Sequence, residues 1–377
     1  MPNFVTREGN LQFAEILEQL CIKLQITETQ FKQAHQHYGA VGEVLNNGAK
    51  LAKYHPHIYP QGSLNLDTTV KPKGQNEFDL DAVCKLYIAG KPDPQAVYDL
   101  VWNCMYADKT YRDMIEPMPR CVRVTYANEF HMDIVPAIPD GDDEDRIFIP
   151  DIPSPKLKYW RSSNPRAYAR WFETRTQTLV KLAEKRIDPL RRPQPVHLKA
   201  TLKRSVQLFK RWRDIRFDGK MNLSPPSIIL TTLAAELHGG EEWCTDALAT
   251  ILTKIRRTIR YAKKLKLYNP VNRDECISER WEKSDDAYDA LVEGIDDFQE
   301  RWLDLIHSHG LPAICKELES LFGETAVHAF REVTKPVNAA RLACGLYVTK
   351  GTRTLTEDAG PSSYRVQPNS FYGDSET

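Results

Sequence analysis

The stretch Glu77-Phe-Asp-Leu-Asp-Ala-Val83 decides the reading of the fold. Residues i and i+2 of a strand share a face. Asp79 and Asp81 then project together, while Phe78, Leu80 and Ala82 turn toward a core. The charged face bears two like charges side by side, which repel unless a cation lies between them. A hard, oxygen-seeking ion such as Mg²⁺ meets that need. Alone, Asp-x-Asp is an ordinary surface feature, so its neighbours have to be read with it.

Upstream, Tyr59-Pro-Gln-Gly-Ser-Leu-Asn-Leu66 puts Gly62 and Ser63 after a short strand, His57 to Tyr59, and before a segment able to start a helix. Glycine lets the backbone come close to a ligand. Backbone N–H groups at a helix start and a serine hydroxyl suit phosphate oxygens. Downstream, in Phe130-His-Met-Asp-Ile-Val-Pro136, Met132 and Ile134 alternate with Asp133, which sets a third carboxylate opposite the core face. If that strand lies beside the first, three carboxylates converge, the ligand set of a two-metal phosphoryl or nucleotidyl transfer site.

The flanking chain gives an α+β organisation. Phe13, Ile16, Leu17, Leu20 and Leu24 keep the spacing of an amphipathic helix, and a further helix is expected from Glu28 to Lys53. Strands are expected at Glu77 to Tyr87, Arg120 to Tyr126 and Phe130 to Ile138, with a helix from Asp93 to Tyr106. The proline-rich, acidic segment from Ile138 to Pro155 reads as an exposed loop. Helices follow over 164–186, 195–217, 224–237, 243–265, 278–305 and 311–322. The expected division is 1–54 as N-terminal helices bridging two lobes, 55–160 as the α/β lobe, 161–350 as a helical lobe and 351–377 as an extended or mobile tail.

Composition narrows the function classes. The 377 residues carry 51 Lys+Arg against 51 Asp+Glu. That balance excludes a chain that grips long nucleic acid by bulk positive charge. A hydrophobic fraction of 41% excludes a wholly disordered chain. Neither a transmembrane run nor a signal peptide is read. Eight scattered cysteines without CxxC or zinc spacing fit reduced thiols in a cytoplasmic protein. Two basic tracts, from Lys199 to Arg216 and from Lys254 to Lys266, are expected mainly as solvated helix faces. Tyr59, Tyr159, Trp160 and Tyr268 are candidates to stack a base, against the ordinary role of core or interface aromatics.

With the Gly-Ser turn, the paired aspartates and the third aspartate in place, the chain resembles the polymerase-β-like nucleotidyltransferases. Within them it is similar to the bacterial CD-NTases, relatives of cyclic GMP–AMP synthase and oligoadenylate synthase. Gln61 to Pro72, Glu77 to Asp81 and Met132 to Ala137 carry the likeness. So do Leu202 to Asp214, Ser227 to Leu233, and Asn269-Pro-Val271 with Glu275 and Trp281; Cys276 stands where the family pattern has Asn. The resemblance implies a polymerase-β-like core, a mixed sheet with helices, plus a helical C-terminal lobe. It implies two Mg²⁺ ions, with Mn²⁺ as a substitute, held by Asp79, Asp81 and Asp133. It implies donor triphosphate binding by Gln61, Gly62 and Ser63, completed by Lys203 and Ser227.

The implied reaction joins nucleoside triphosphates (ATP, GTP or pyrimidine triphosphates) into a cyclic di- or trinucleotide and releases pyrophosphate. The implied setting is CBASS anti-phage signalling, where the product acts on a separate effector and a regulatory or ligase partner can take part. In some such systems a ligase joins the synthase C-terminus to a target; this chain ends in Thr377 rather than a small residue, which weighs against that. No membrane and no long nucleic acid are expected as partners. Three readings stay open beside the cyclic synthase: a linear oligonucleotide synthase, an RNA-tailing enzyme of the same superfamily, and a catalytically inactive nucleotide-binding protein.

Overall fold

A computed structural model describes residues 7–73, 78–127, 130–176, 186–307 and 311–342, with the short segments 347–349, 355–356 and 363–365. Helices α1 (Arg7–Leu24) and α2 (Glu28–Asn47) come first. A capping box starts the second: the Gln30 N–H donates to the Thr27 hydroxyl, and the Thr27 N–H donates back to the Gln30 side chain. Then follow β1 (His57–Gln61), α3 (Gly62–Asn65), β2 (Phe78–Lys85), α4 (Pro94–Ala107), β3 (Ile115–Pro117), β4 (Val122–Tyr126), β5 (Phe130–Asp140), β6 (Asp143–Ser154) and β7 (Leu157–Ser163).

These strands form one sheet in the order β1-β2-β5-β4-β3, with β6 on β5 and β7 on β6. Strands β2 and β5 are parallel. Parallel neighbours need a crossover, and α4, β3 and β4 fill it. Alternation decides which face is buried. Phe78, Leu80, Ala82 and Cys84 of β2 pack with Phe130, Met132 and Ile134 of β5. Over them lie Tyr38, Val41 and Leu45 of α2 and Val97, Val101 and Met105 of α4. The opposite face is left for the aspartates.

Residues 138–155 do not form the expected loop. Strand β5 runs on to Asp140, the chain turns at Gly141 with φ of 75°, and β6 returns as a partner of both β5 and β7. The acidic run sits at the tip of this hairpin. Pro153 falls where the β6–β7 register shifts between Asp151 and Ser154, an irregularity that tolerates a missing N–H. Prolines and charge concealed the buried Ile147 in the middle of the strand.

The rest of the chain is mainly helical. It contains α5 (Pro165–Arg175), α6 (Thr201–Arg216), α7 (Ser227–Leu237) and α8 (Cys244–Tyr261). A hairpin of β8 (Tyr268–Asn269) and β9 (Asn272–Cys276) precedes α9 (Glu279–Lys283), α10 (Asp285–His307), α11 (Leu311–Phe322) and α12 (Glu324–Leu342). The helix expected over 278–305 is interrupted at Ser284, and part of the helix expected over 164–186 lies outside the described residues. Near the end, β10 (Tyr347–Thr349) pairs with β11 (Leu355–Thr356) and β12 (Ser363–Arg365). Two short strands therefore lie in the tail expected to be extended or mobile; the remainder of 351–377 is outside the described residues.

Contacts group the chain into two units. Leu24–Glu300 contains the seven-stranded sheet, α2 to α9 and the first part of α10; Met1–Lys23 with Arg301–Thr377 makes the other. The boundaries expected at 54 and 160 both fall inside the larger unit. There, Trp212 of α6 stacks on Phe298 of α10 at 5.0 Å and meets Phe217 edge-on at 6.1 Å. In the smaller unit, Trp302 has Phe13 at 5.7 Å and Phe322 at 6.3 Å. All seven described cysteines are free thiols. Among the described residues no helix is long and apolar enough to cross a membrane.

Trp212 is 1% exposed, so Trp212→Ala removes the centre of the α6 contact. It is expected to cost about 3–5 kcal/mol in guanidinium denaturation. A loss below about 1 kcal/mol would contradict this packing.

Candidate active site

Register brings the chemistry into one row across four strands. Gln61 of β1 lies opposite Asp81 of β2, Asp81 opposite Asp133 of β5, and Asp133 opposite Arg123 of β4. Asp79 is two residues along from Asp81 on the same face. Burial, then the neighbouring Asp133 and Asp79, push the Asp81 carboxyl up to about 7. Asp79 is raised as well, first by desolvation and then by Asp133. Asp133 differs from both: Arg123 donates to its two oxygens, Nε to Oδ1 at 2.7 Å and a terminal nitrogen to Oδ2 at 2.8 Å.

Gly62 faces this row. Its φ is 64°, and a Cβ there would stand 2.0 Å from Asp81 Oδ2. The position needs glycine both for its conformation and for its closeness to the carboxylate. Gln61, Gly62, Ser63, Asp79 and Asp81 line one side of a cavity of about 580 Å³. Lys210, Arg213, Ser227, Asn269 and Glu275 are also among its lining residues. Asp133 is not among them.

The loop that follows Gly62-Ser63 is tied to α6 by buried polar groups. Lys210 Nζ donates to the Thr68 carbonyl (3.0 Å) and hydroxyl (3.1 Å). Gln207 donates to the Thr69 carbonyl, Arg211 to the Lys71 carbonyl, and Lys199 pairs with Asp67 at 2.9 Å. The Ser63 and Thr69 hydroxyls lie 3.1 Å apart. The first basic tract is thus largely interior: Lys199, Lys203, Lys210 and Arg211 are all buried. They are not the solvated face read from the sequence, because the loop carbonyls and carboxylates supply their partners. The later tract does sit beside acids, with Arg256 and Arg260 on Asp296 and Lys266 on Glu282.

Lys203 does not reach the cavity. Its ammonium pairs at 3.0 Å with buried Glu173, which also holds Arg191 at 3.2 Å. Lys210, two helical turns further along the same face of α6, does line the cavity, as does Lys73 from the loop after α3. Burial, and then nearby Arg213, pull the Lys210 pKa down to about 7. Ser227 does line the cavity; it is the first residue of α7 and its hydroxyl accepts from Arg213. Asn269 donates to Glu275 at 2.8 Å, and burial raises the Glu275 carboxyl. Of the aromatic candidates, Tyr59 is only 2% exposed and is buried with Val83, Ala137 and Ile147. Tyr168, hydrogen-bonded to Thr232, lines the cavity instead. Arg123, Lys210 and Tyr168 were not read from the sequence as site residues.

The donor set suits a hard divalent cation. Asp79 and Asp81 offer oxygens only, lie in a row raised by burial and like charge, and have no counter-ion bonded to them among the described residues. Among the described residues no group of three His, Cys, Asp or Glu side chains is drawn together as a metal cage. Gly62→Ala should displace Asp81, and a shift of about 1 Å at such a site costs roughly a hundredfold in rate. Pyrophosphate release with an unchanged circular-dichroism spectrum is the measurement; turnover within about threefold of the parent would contradict the close approach.

Comparisons with known proteins agree with this architecture. Residues 11–176 match the family described as Second Messenger Oligonucleotide or Dinucleotide Synthetase domain, SMODS. The chain is 29% identical over 378 residues to the c-di-GMP synthase of Roseivirga ehrenbergii, covering 98% of this chain and all of that one. It is 26% identical over 297 residues to the cyclic dinucleotide synthase CdnG of Bradyrhizobium diazoefficiens, covering 71% and 70% of the two chains. The fold superposes on the structure of that CdnG in complex with GTP with a TM-score of 0.69 at 21% identity, over 86% of this chain and 99% of the other. Residues 11–176 thus carry a SMODS domain, the whole chain is similar to cyclic dinucleotide synthases, and a mixed sheet followed by a helical region is the fold it shares with the solved CD-NTase structures.

Proposed function

We propose that the cleft joins nucleoside triphosphates, GTP first among them, into a cyclic dinucleotide, with Mg²⁺ held by Asp79, Asp81 and Asp133. The observation that carries this reading is the in-register row of Asp81 and Asp133 with Gly62 pressed against Asp81 at the cavity wall. The choice of GTP is supported by the c-di-GMP synthase similar along nearly the whole chain. The proposed setting is a cytoplasmic CBASS system, in which the product acts on a separate effector.

A ribose hydroxyl attacks the α-phosphorus of a bound triphosphate and pyrophosphate leaves. When bound, the cation supplies positive charge to the phosphates and acidity to the attacking hydroxyl. The chain's own groups do the positioning. Gly62 and Ser63 present the backbone and a hydroxyl to the triphosphate, with Gln61 beside them. Lys210 holds Thr68 behind that loop and retains one ammonium donor for phosphate. Ser227 and Arg213 add polar contacts from α7 and α6. Any transfer of the hydroxyl proton to Asp133 competes with the Arg123 fork on both its oxygens. Ring closure repeats the step after the linear intermediate turns over in the same cavity.

Incubation with all four triphosphates and Mg²⁺, then phosphatase and mass determination, tests the reading. A phosphatase-resistant product with the mass of a cyclic dinucleotide is expected. A phosphatase-sensitive chain, or extension of added RNA, would overturn it. Asp79→Asn combined with Asp81→Asn should reduce pyrophosphate release at least about a thousandfold without unfolding the chain, since paired metal ligands act as a unit; near-parental release would remove the aspartates from the mechanism. Lys210→Met should raise the triphosphate KM by about tenfold or more, the scale of one charge-assisted contact. Lys203→Met should instead lower stability, with KM little changed, because it breaks the buried pair with Glu173. A KM rise confined to the Lys203 variant would reverse the assignment.

A further inference from the structure

The aspartate row is not left bare on its far side. Arg123 stands directly across from Asp133 on the neighbouring antiparallel strand. Its guanidinium approaches as a planar fork, with bonds of 2.7 and 2.8 Å to the two carboxylate oxygens. Both side chains are largely withdrawn from water, at 23% and 15% exposure. This is the strong, charge-assisted, bidentate form of the contact, not a loose surface pair. It uses one acceptor position on each oxygen and leaves the outward positions. The Arg123 charge also acts on Asp79 and Asp81, favouring their ionised forms.

A cation that draws on Asp133 therefore meets a carboxylate already matched in charge. Asp79 and Asp81 present no such obstacle. We propose that Arg123 is an internal counter-ion that occupies Asp133 in the metal-free protein, so that a divalent cation requiring Asp133 binds in competition with the Arg123 fork, and after the cation held by Asp79 and Asp81. This rests on the metal-dependent reading of the site given above. Arg123 acts through Asp133 and is a positioning residue: it keeps the third carboxylate oriented and blocks its premature loading. The triphosphate brings the additional negative charge that offsets the repulsion between guanidinium and cation, so full loading waits for substrate.

Direct Mn²⁺ binding to the full chain, read from the free-ion signal in electron paramagnetic resonance, separates this role from a purely structural one. The titration uses the parent, Arg123→Gln, Arg123→Lys and Asp81→Asn, each with and without a non-hydrolysable GTP analogue. Without nucleotide, the parent should bind one ion and take the next only when the analogue is added. Arg123→Gln should bind the later ion at least about tenfold more tightly without nucleotide, because it removes both the guanidinium's repulsion of the cation and its competition for the Asp133 oxygens. Arg123→Lys keeps the charge and loses the fork; it should fall between the two, and it carries the test if the Gln variant does not fold. Unchanged or weaker Mn²⁺ binding in both arginine variants, with Asp81→Asn still abolishing it, overturns the inference alone. Mn²⁺ binding that survives Asp81→Asn overturns the metal reading on which the inference stands.

Discussion

Asp81 and Asp133 stand directly opposite one another on adjacent parallel strands, and the repulsion between them organises much of what surrounds the site. The sheet cannot relieve it by slipping. A one-residue shift would turn Phe78, Leu80 and Ala82 away from the core they share with α2 and α4. The repulsion has to be met by charge instead. Arg123 meets it from the β4 side through Asp133, and Lys210 from α6. The remainder is left at Asp79 and Asp81, where the proposed divalent cation would relieve it. Hydrophobic alternation fixes the register, and the register creates the electrostatic conflict on which the proposed chemistry draws.

Helix α6 couples this site to its surroundings. Four of its charged or polar side chains, or those just before it, donate to the loop after Gly62-Ser63 or pair with Asp67 in it. Buried donors of this kind stabilise only when their partners are in place. The phosphate-side loop is therefore held by the same helix that lends Lys210 and Arg213 to the cavity. Five basic side chains among the described residues, Lys85, Lys199, Lys203, Lys210 and Arg211, are buried, and each donates to an internal carbonyl or pairs with an internal carboxylate.

Much of this is legible in the sequence, for identifiable reasons. A period of two exposes which side chains of β2 and β5 share a face, so alternation sets the three aspartates opposite the core, and only their combination with the Gly62-Ser63 turn separates them from ordinary surface acids. Local pattern does not reveal cross-strand partners, and Arg123 is invisible to it because its role depends on the β4–β5 register. Lys203 and Lys210 share one helix face, and only the cavity's position along α6 separates them; Glu173, from a different helix, claims the first. Strand β6 is hidden because prolines and acids normally mark loops, and their placement at a bulge and a hairpin tip is a tertiary fact. Glu275 stands out in the sequence for its motif, but its burial in the cavity wall beside Asn269 comes from the β8–β9 hairpin, too short to leave a periodic pattern.

The central claim is that the aspartate row is a cation site completed by the triphosphate. Anomalous diffraction from crystals grown with Mn²⁺ and a non-hydrolysable GTP analogue tests it most directly. The account predicts an anomalous peak in direct coordination with carboxylate oxygens of both Asp79 and Asp81, with the triphosphate against Gly62 and Ser63. Triphosphate bound in the cavity with no anomalous peak at either aspartate would contradict it.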